Sequence, residues 1–215
     1  MADVLPESGP DSLDERVSAA DPDRWLSSRF VGDPQARADL IALYAFEAEL
    51  LSIPTRVTQP LLAEMRYAWW REQMDGVFTG TARKGHPVLE ALTDVVTRHG
   101  LNREPFDTLI EAHIDRVNGE PHDLDAFYLG PMQAAVQLLA GPGHDGKVVE
   151  AGRVWGLTQV GRADEANALK PHANRQLRSL PAAAFPAVAH ATLKADTPEP
   201  LKRLKLVWAS LRGRI

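Results

Sequence analysis

Glu47 and Arg66 are the residues of this chain best placed for chemistry, because each interrupts an apolar helical face. Leu40, Leu43, Tyr44, Leu50 and Leu51 recur at helical spacing, and Glu47 falls in the middle of their stripe. Downstream of Pro54 and Pro60, which punctuate the chain, a second stripe of Leu62, Met65, Trp69, Trp70 and Val77 contains Arg66 and Gln73. A carboxylate and a guanidinium on facing stripes either neutralise each other or line a polar cavity inside a helical bundle. The spacing predicts that Arg66 pairs with Glu47 or Glu49. Glu49, on the small-residue face of Ala38, Ala42 and Ala45, is the poorer acceptor. Tyr44, Trp69, Trp70 and Gln73 complete the candidate polar pocket.

Other chemistries find little support. The seven histidines, His86, His99, His113, His122, His144, His172 and His190, never stand three or four residues apart, so no helical metal pair forms. With no cysteine, disulfides, thiolate metal sites and a cysteine nucleophile are excluded. Neither a serine-hydrolase elbow nor a Walker lysine loop is present. Gly141 to Gly146, GPGHDG, satisfies the glycine pattern of dinucleotide loops. What precedes it reads as a helix rather than a strand, so it is a turn. The acidic pair Glu111 and Asp115 reads as a solvated face, and His99 beside Gly100 as a helix cap.

The elements that must position the pocket are all helical. The 215 residues suggest one domain, residues 21–215, preceded by a mobile acidic leader over 1–20 in which Asp11, Asp14 and Glu15 are solvated around a frayed capping box. Asp21, Pro22 and Asp23 mark the first ordered helix start, and Gly32, Asp33 and Pro34 open the long helix that carries Tyr44. Further helices are predicted over 86–99, from Glu104 through Ile114, over 123–140 and over 148–160. Proline-punctuated pieces follow, ending in a basic, aromatic last helix. No alternating run long enough for a sheet occurs.

A formal charge of −5, with no basic run interleaved with aromatics, argues against a nucleic-acid partner. No stretch of signal-peptide character opens the chain, and no run of about eighteen apolar residues could span a bilayer. The expected location is cytoplasmic, with room for contact at the inner face of a membrane.

Several runs resemble the squalene and phytoene synthase family, head-to-head prenyl transferases of the all-α isoprenoid synthase fold. They are ALYAF at Ala42 to Phe46, RYAWWRE at Arg66 to Glu72, HPVLEAL at His86 to Leu92, LNREPFDTLIEA at Leu101 to Ala112, AGRVWGLT at Ala151 to Thr158, and KRLKLVWASLRGRI at Lys202 to Ile215. The resemblance implies an isoprenoid-synthase-type bundle with a shortened C-terminal half. It also implies two aspartate-rich motifs holding Mg²⁺ against a diphosphate, because hard cations need clustered oxygen ligands. At the first motif this chain has Leu51, Ser52 and Thr55. At the second it has Gly156, Gln159, Arg162, Ala163 and Asn167, where only the arginine is retained and Asp164 with Glu165 is out of register. Arg116 replaces a third expected aspartate. The implied protein is therefore non-catalytic, with no metal and no cofactor. It is a binding or assembly platform for a prenyl or other lipid-like ligand or for a protein partner. YAF followed by Ala48 and Glu49 is similar to the branch that includes a mitochondrial complex I assembly factor. The alternatives are an active Mg²⁺-dependent prenyl transferase and a plain helical interaction protein without a lipid pocket.

Overall fold

A proline in the first turn opens most of the described α-helices, and in three of them a capping side chain precedes it. The Asp21 and Asp33 carboxylates accept the backbone N–H groups of Arg24 and Ala36, and Pro22 and Pro34 then occupy the first turn. His86 caps the helix after it through Nδ1, which accepts from the Leu89 N–H. Glycine closes others: Gly80, Gly100 and Gly213 take the left-handed conformation that frees the chain from the last turn.

The computed structural model describes residues 12–194 and 196–215, and among them there is no strand. The α-helices are α1 (Leu13–Ala20), α2 (Pro22–Ser28), α3 (Pro34–Arg56), α4 (Pro60–Thr79), α5 (Pro87–His99), α6 (Glu104–Val117), α7 (Gly130–Ala140), α8 (Val149–Gln159), α9 (Ala163–Gln176) and α10 (Glu199–Arg212). Every one of them contributes to a single hydrophobic core. The all-α bundle expected from periodicity is thus the observed fold, and α3 and α4 pack as neighbours through Phe46 and Trp70, whose rings meet edge-on at 5.5 Å.

α3 is the central element, buried without interruption from Asp39 to Glu47. Asp39 ties its first turns to the end of α5, accepting from Arg98 (2.5 Å), Gln35 (2.9 Å) and the His99 ring (2.7 Å). His99 therefore joins two helices besides standing in the last turn before the Gly100 cap. The helix also runs through Pro54 rather than ending there. Proline lacks the N–H that would bond the carbonyl four residues earlier. The Tyr67 hydroxyl of α4 supplies a donor to that Leu50 carbonyl at 3.2 Å. Tyr67→Phe is accordingly expected to cost about 1–2 kcal/mol in urea melts, the penalty of a buried unpaired acceptor. A loss near zero would mean that the carbonyl finds another donor.

Three sequence expectations are corrected. Residues 1–11 of the expected leader lie outside the described residues, but Leu13–Ala20 is a helix with a formed capping box between Ser12 and Glu15. It is held because Val17 is fully buried and Asp14 accepts from the Trp25 indole at 2.9 Å. In α4 the buried residues are Ala63, Tyr67, Trp70, Met74 and Val77, whereas Leu62 and Met65 are exposed. The helix is turned by about one residue from the expected stripe. Lastly, the helix predicted over 123–140 begins as a π-helical turn, Asp125–Leu129, in which the Gly130 N–H reaches back to the Asp125 carbonyl. Pro131 follows at once, and the wider turn relieves its ring of the carbonyl four residues back. The GPGHDG run is the turn expected, between α7 and a short 3₁₀ segment at Asp145–Lys147.

Candidate functional site

A cavity of about 280 Å³ lies among α2, α3, α6, the π-turn and α8. Asp21, Arg24, Glu47, His113, Tyr128 and Trp155 give it its polar and aromatic walls, and Leu51, Arg116 and Gln159 also face it. The π-turn presents the consecutive Phe127 and Tyr128 to this space. α8 fixes them from behind with glycine. A Cβ on Gly152 would stand 2.9 Å from the Leu129 Cα, and one on Gly156 2.8 Å from the Tyr128 ring. The two glycines of the AGRVWGLT run thus let the π-turn lie directly on the α8 backbone.

Arg24 is the organising charge. Its Nη1 donates to Glu47 Oε2 at 2.5 Å, its Nε to Asp21 Oδ2 at 2.5 Å, and its guanidinium lies over the Tyr44 ring, 4.8 Å from the centroid. Burial works to raise the Asp21 carboxyl, but the charge and hydrogen bonds of Arg24 outweigh it and the net shift is downward. For Glu47 burial wins over the pull of Arg24, and the carboxyl is raised above its ordinary range. The paired guanidinium stays charged, its affinity for the proton raised by Glu47 and Asp21 against the effect of burial. Glu47 Oε1 and the Tyr44 hydroxyl are buried with no protein partner.

Two neutral histidines flank this network. Burial, with Arg116 and His122 adding charge, pushes His113 down to about 3, and burial with Arg24 does the same to His190. The Tyr67 hydroxyl, itself pushed up to about 12 by burial, bonds His113 Nδ1 at 3.3 Å. Because that hydroxyl already donates to the Leu50 carbonyl, Nδ1 carries the hydrogen, and Nε2 is left as an acceptor. His190 packs edge-on against Trp155, with centroids 4.9 Å apart.

The residues singled out from sequence do not all come together. Glu47 and Tyr44 belong to the network, but the partner of Glu47 is Arg24 and not Arg66. Arg66 is solvent-exposed, because the turn of α4 that buries Tyr67 sends its neighbour outward. Glu49 pairs with Arg16 at 3.2 Å and lies 3.9 Å from Arg56. Trp69 and Trp70 pack edge-on and both meet the His86 ring, while Gln73 is half-buried on α4. Arg162 is exposed and forks onto Glu165 at 2.6 and 2.5 Å. Glu111 is exposed, as expected, and pairs with Arg71. Sequence reasoning missed Arg24, Asp21, His113 and His190. For Arg24 a signal existed, since Asp-Pro-Asp-Arg places a cation one turn after a capping carboxylate.

The positions that would hold Mg²⁺ do not fit it. Leu51 meets the cavity with a hydrocarbon side chain. The Ser52 and Thr55 hydroxyls turn back onto the carbonyls of Glu49 and Ser52 at 2.8 and 2.7 Å. α8 ends at Gln159, and Gly161, at φ 79°, reverses the chain into α9. There Ala163 and Asn167 are exposed. Arg116 brings a positive charge where the resemblance expects a carboxylate. Among the described residues no three of His, Asp or Glu are grouped so as to hold a metal ion.

A family-level comparison agrees with the all-α fold. A sequence model of squalene/phytoene synthase matches residues 17–128, just over half of the 215-residue chain. No curated protein and no solved structure matches it. The matched stretch runs from α1 to the π-turn and carries most of the cavity wall, and on this evidence the chain belongs to the squalene/phytoene synthase family.

Proposed function

We propose that this family member does not perform Mg²⁺-dependent prenyl transfer and uses its bundle as a binding or assembly platform, with the cavity as the retained pocket. The observation that carries the reading is the replacement of metal-holding carboxylates by Leu51, Ser52, Thr55, Ala163 and Asn167, while the carboxylates that line the cavity are already paired, Asp21 and Glu47 with Arg24 and Asp23 with Lys202. Ionising a prenyl diphosphate requires its departing charge to be neutralised, and a carboxylate already paired with a guanidinium is a poor metal ligand.

Size supports the same reading. Pockets for one drug-sized molecule run from about 300 Å³ upward, so about 280 Å³ is small for two prenyl diphosphates side by side. The likeness of the Phe46 to Glu49 run to the branch containing a complex I assembly factor favours a protein or lipid-like partner. The existence of the cavity favours a platform with a pocket over a plain interaction bundle.

The protein in Mg²⁺ is expected to release no pyrophosphate from farnesyl or geranylgeranyl diphosphate, and Mg²⁺ is expected not to strengthen binding of either. Turnover that vanishes with EDTA would overturn the reading.

A further inference from the structure

Helix α10 docks onto the bundle with its small face and turns its large one outward. Leu206 and Ala209 are its buried residues, while Leu201, Leu204, Val207, Trp208 and Leu211 are between 39% and 78% exposed. At about 3.6 residues per turn these five fill one unbroken sector, roughly a third of the circumference. Arg203 borders the sector on one side, Lys205 and Arg212 on the other. The Arg212 guanidinium lies over the Trp208 ring at 4.3 Å. A helix of a water-surrounded bundle places its apolar sector inward, so an outward one marks a surface that meets something.

Charge decides what that is. The chain carries a formal −5, yet residues 199–215 hold Lys202, Arg203, Lys205, Arg212 and Arg214 against Glu199 alone. Asp23 and Glu199 occupy Lys202. Arg203, Lys205 and Arg212 form no ion pair among the described residues. Lys170 and Lys194 add to the basic side, Lys170 standing near enough to both Lys194 and Lys205 to feel their charges. An open groove of about 560 Å³, lined in part by Thr192, Leu201, Trp208 and Ile215, runs beside the sector. A second copy of the chain fits poorly, because both borders are basic and any self-pairing sets like charges together. No described helix is long and apolar enough to cross a bilayer, so a membrane contact at this surface is one along it.

We propose that α10 lies flat on a membrane containing anionic phospholipid, its apolar sector among the acyl chains and its basic borders at the phosphates. The test uses the full chain, sedimented with phosphatidylcholine vesicles with and without phosphatidylglycerol. At low salt, binding is expected to be at least about tenfold greater with the anionic lipid and to fall as salt is added. Leu204→Ser with Leu211→Ser, and separately Arg203→Glu with Arg212→Glu, should each lower it by about tenfold or more with circular dichroism unchanged. These side chains are exposed, so folding is not at stake. Folded protein that binds neither vesicle overturns the proposal, as does equal binding to both. It also fails if the protein is a dimer that the leucine replacements dissociate and that does not bind vesicles.

Discussion

Arg24→Met is expected to cost about 3–5 kcal/mol of folding stability, because it strips the counter-charge from two carboxylates inside the bundle. Asp21 and Glu47 are each joined to that guanidinium at 2.5 Å, and Arg24 and Glu47 are both buried. Protonation limits the loss: the Glu47 carboxyl is already raised by burial, and without Arg24 it takes up a proton more readily still. A carboxyl raised above its unfolded value contributes stability below that value and loses it as pH rises through the folded one. The gap between wild type and Arg24→Met should therefore narrow as pH falls toward about 5. Urea melts of Arg24→Met, Glu47→Gln and the double variant supply the check. Glu47→Gln should be clearly less damaging in the Arg24→Met background, since the pair is then already broken. Additive losses, or a cost below about 1 kcal/mol for Arg24→Met, would show that the network does not carry this weight.

Acidification is expected to destabilise the protein through His113 and His190, well before the ordinary carboxylates titrate. Both are pushed down to about 3, while in the unfolded chain they titrate near 6.5. Between those values the unfolded chain holds a proton that the folded one refuses. Stability thus rises with pH through this window and falls as the solution is acidified, by up to about 1.4 kcal/mol per pH unit for each histidine. Glu47 acts in the opposite sense and offsets part of the loss. Asp21 and Asp39, both held below the usual carboxylate range, add to it only at the acid end. Urea melts between about pH 7 and 4.5 should show the slope. His190→Phe, which keeps a ring against Trp155, and His113→Gln should each flatten it. A slope unchanged in both variants would sink the assignment.

Periodicity and punctuation made the helices legible: Asp-Pro opens α2 and α3, and Gly100 closes α5. The candidate site was harder for a physical reason. α4 is apolar on more than one side: Leu61, Leu62 and Met65 are exposed, while Ala63, Tyr67 and Met74 are buried. Two overlapping stripes one residue apart are nearly equal in hydrophobicity, and the choice between them decides whether Arg66 points in or out. Only packing settles it, through the hydroxyl that Tyr67 lends to the carbonyl Pro54 leaves open. Glu47 could be identified because its own stripe is buried almost all round. Its partner comes from a short helix 23 residues upstream, which helical spacing cannot connect to it. The histidines needed three-dimensional burial to be recognised, since alone in a sequence they look like any other.

The chain reversal after α8 bears on how a metal site could be built into this bundle by redesign. An aspartate put at Leu51 would face the cavity. Aspartates put at Ala163 and Asn167 would stand in solvent on α9, beyond the Gly161 turn that Arg162 locks by bonding the Leu157 carbonyl at 2.8 Å. Side-chain replacement therefore rebuilds at most half of a metal site. The other half needs a different backbone path, with α8 continued past Gln159. Such a path is reached only by inserting or deleting residues, so a metal site built on this bundle is a change of backbone length before it is a change of side chains.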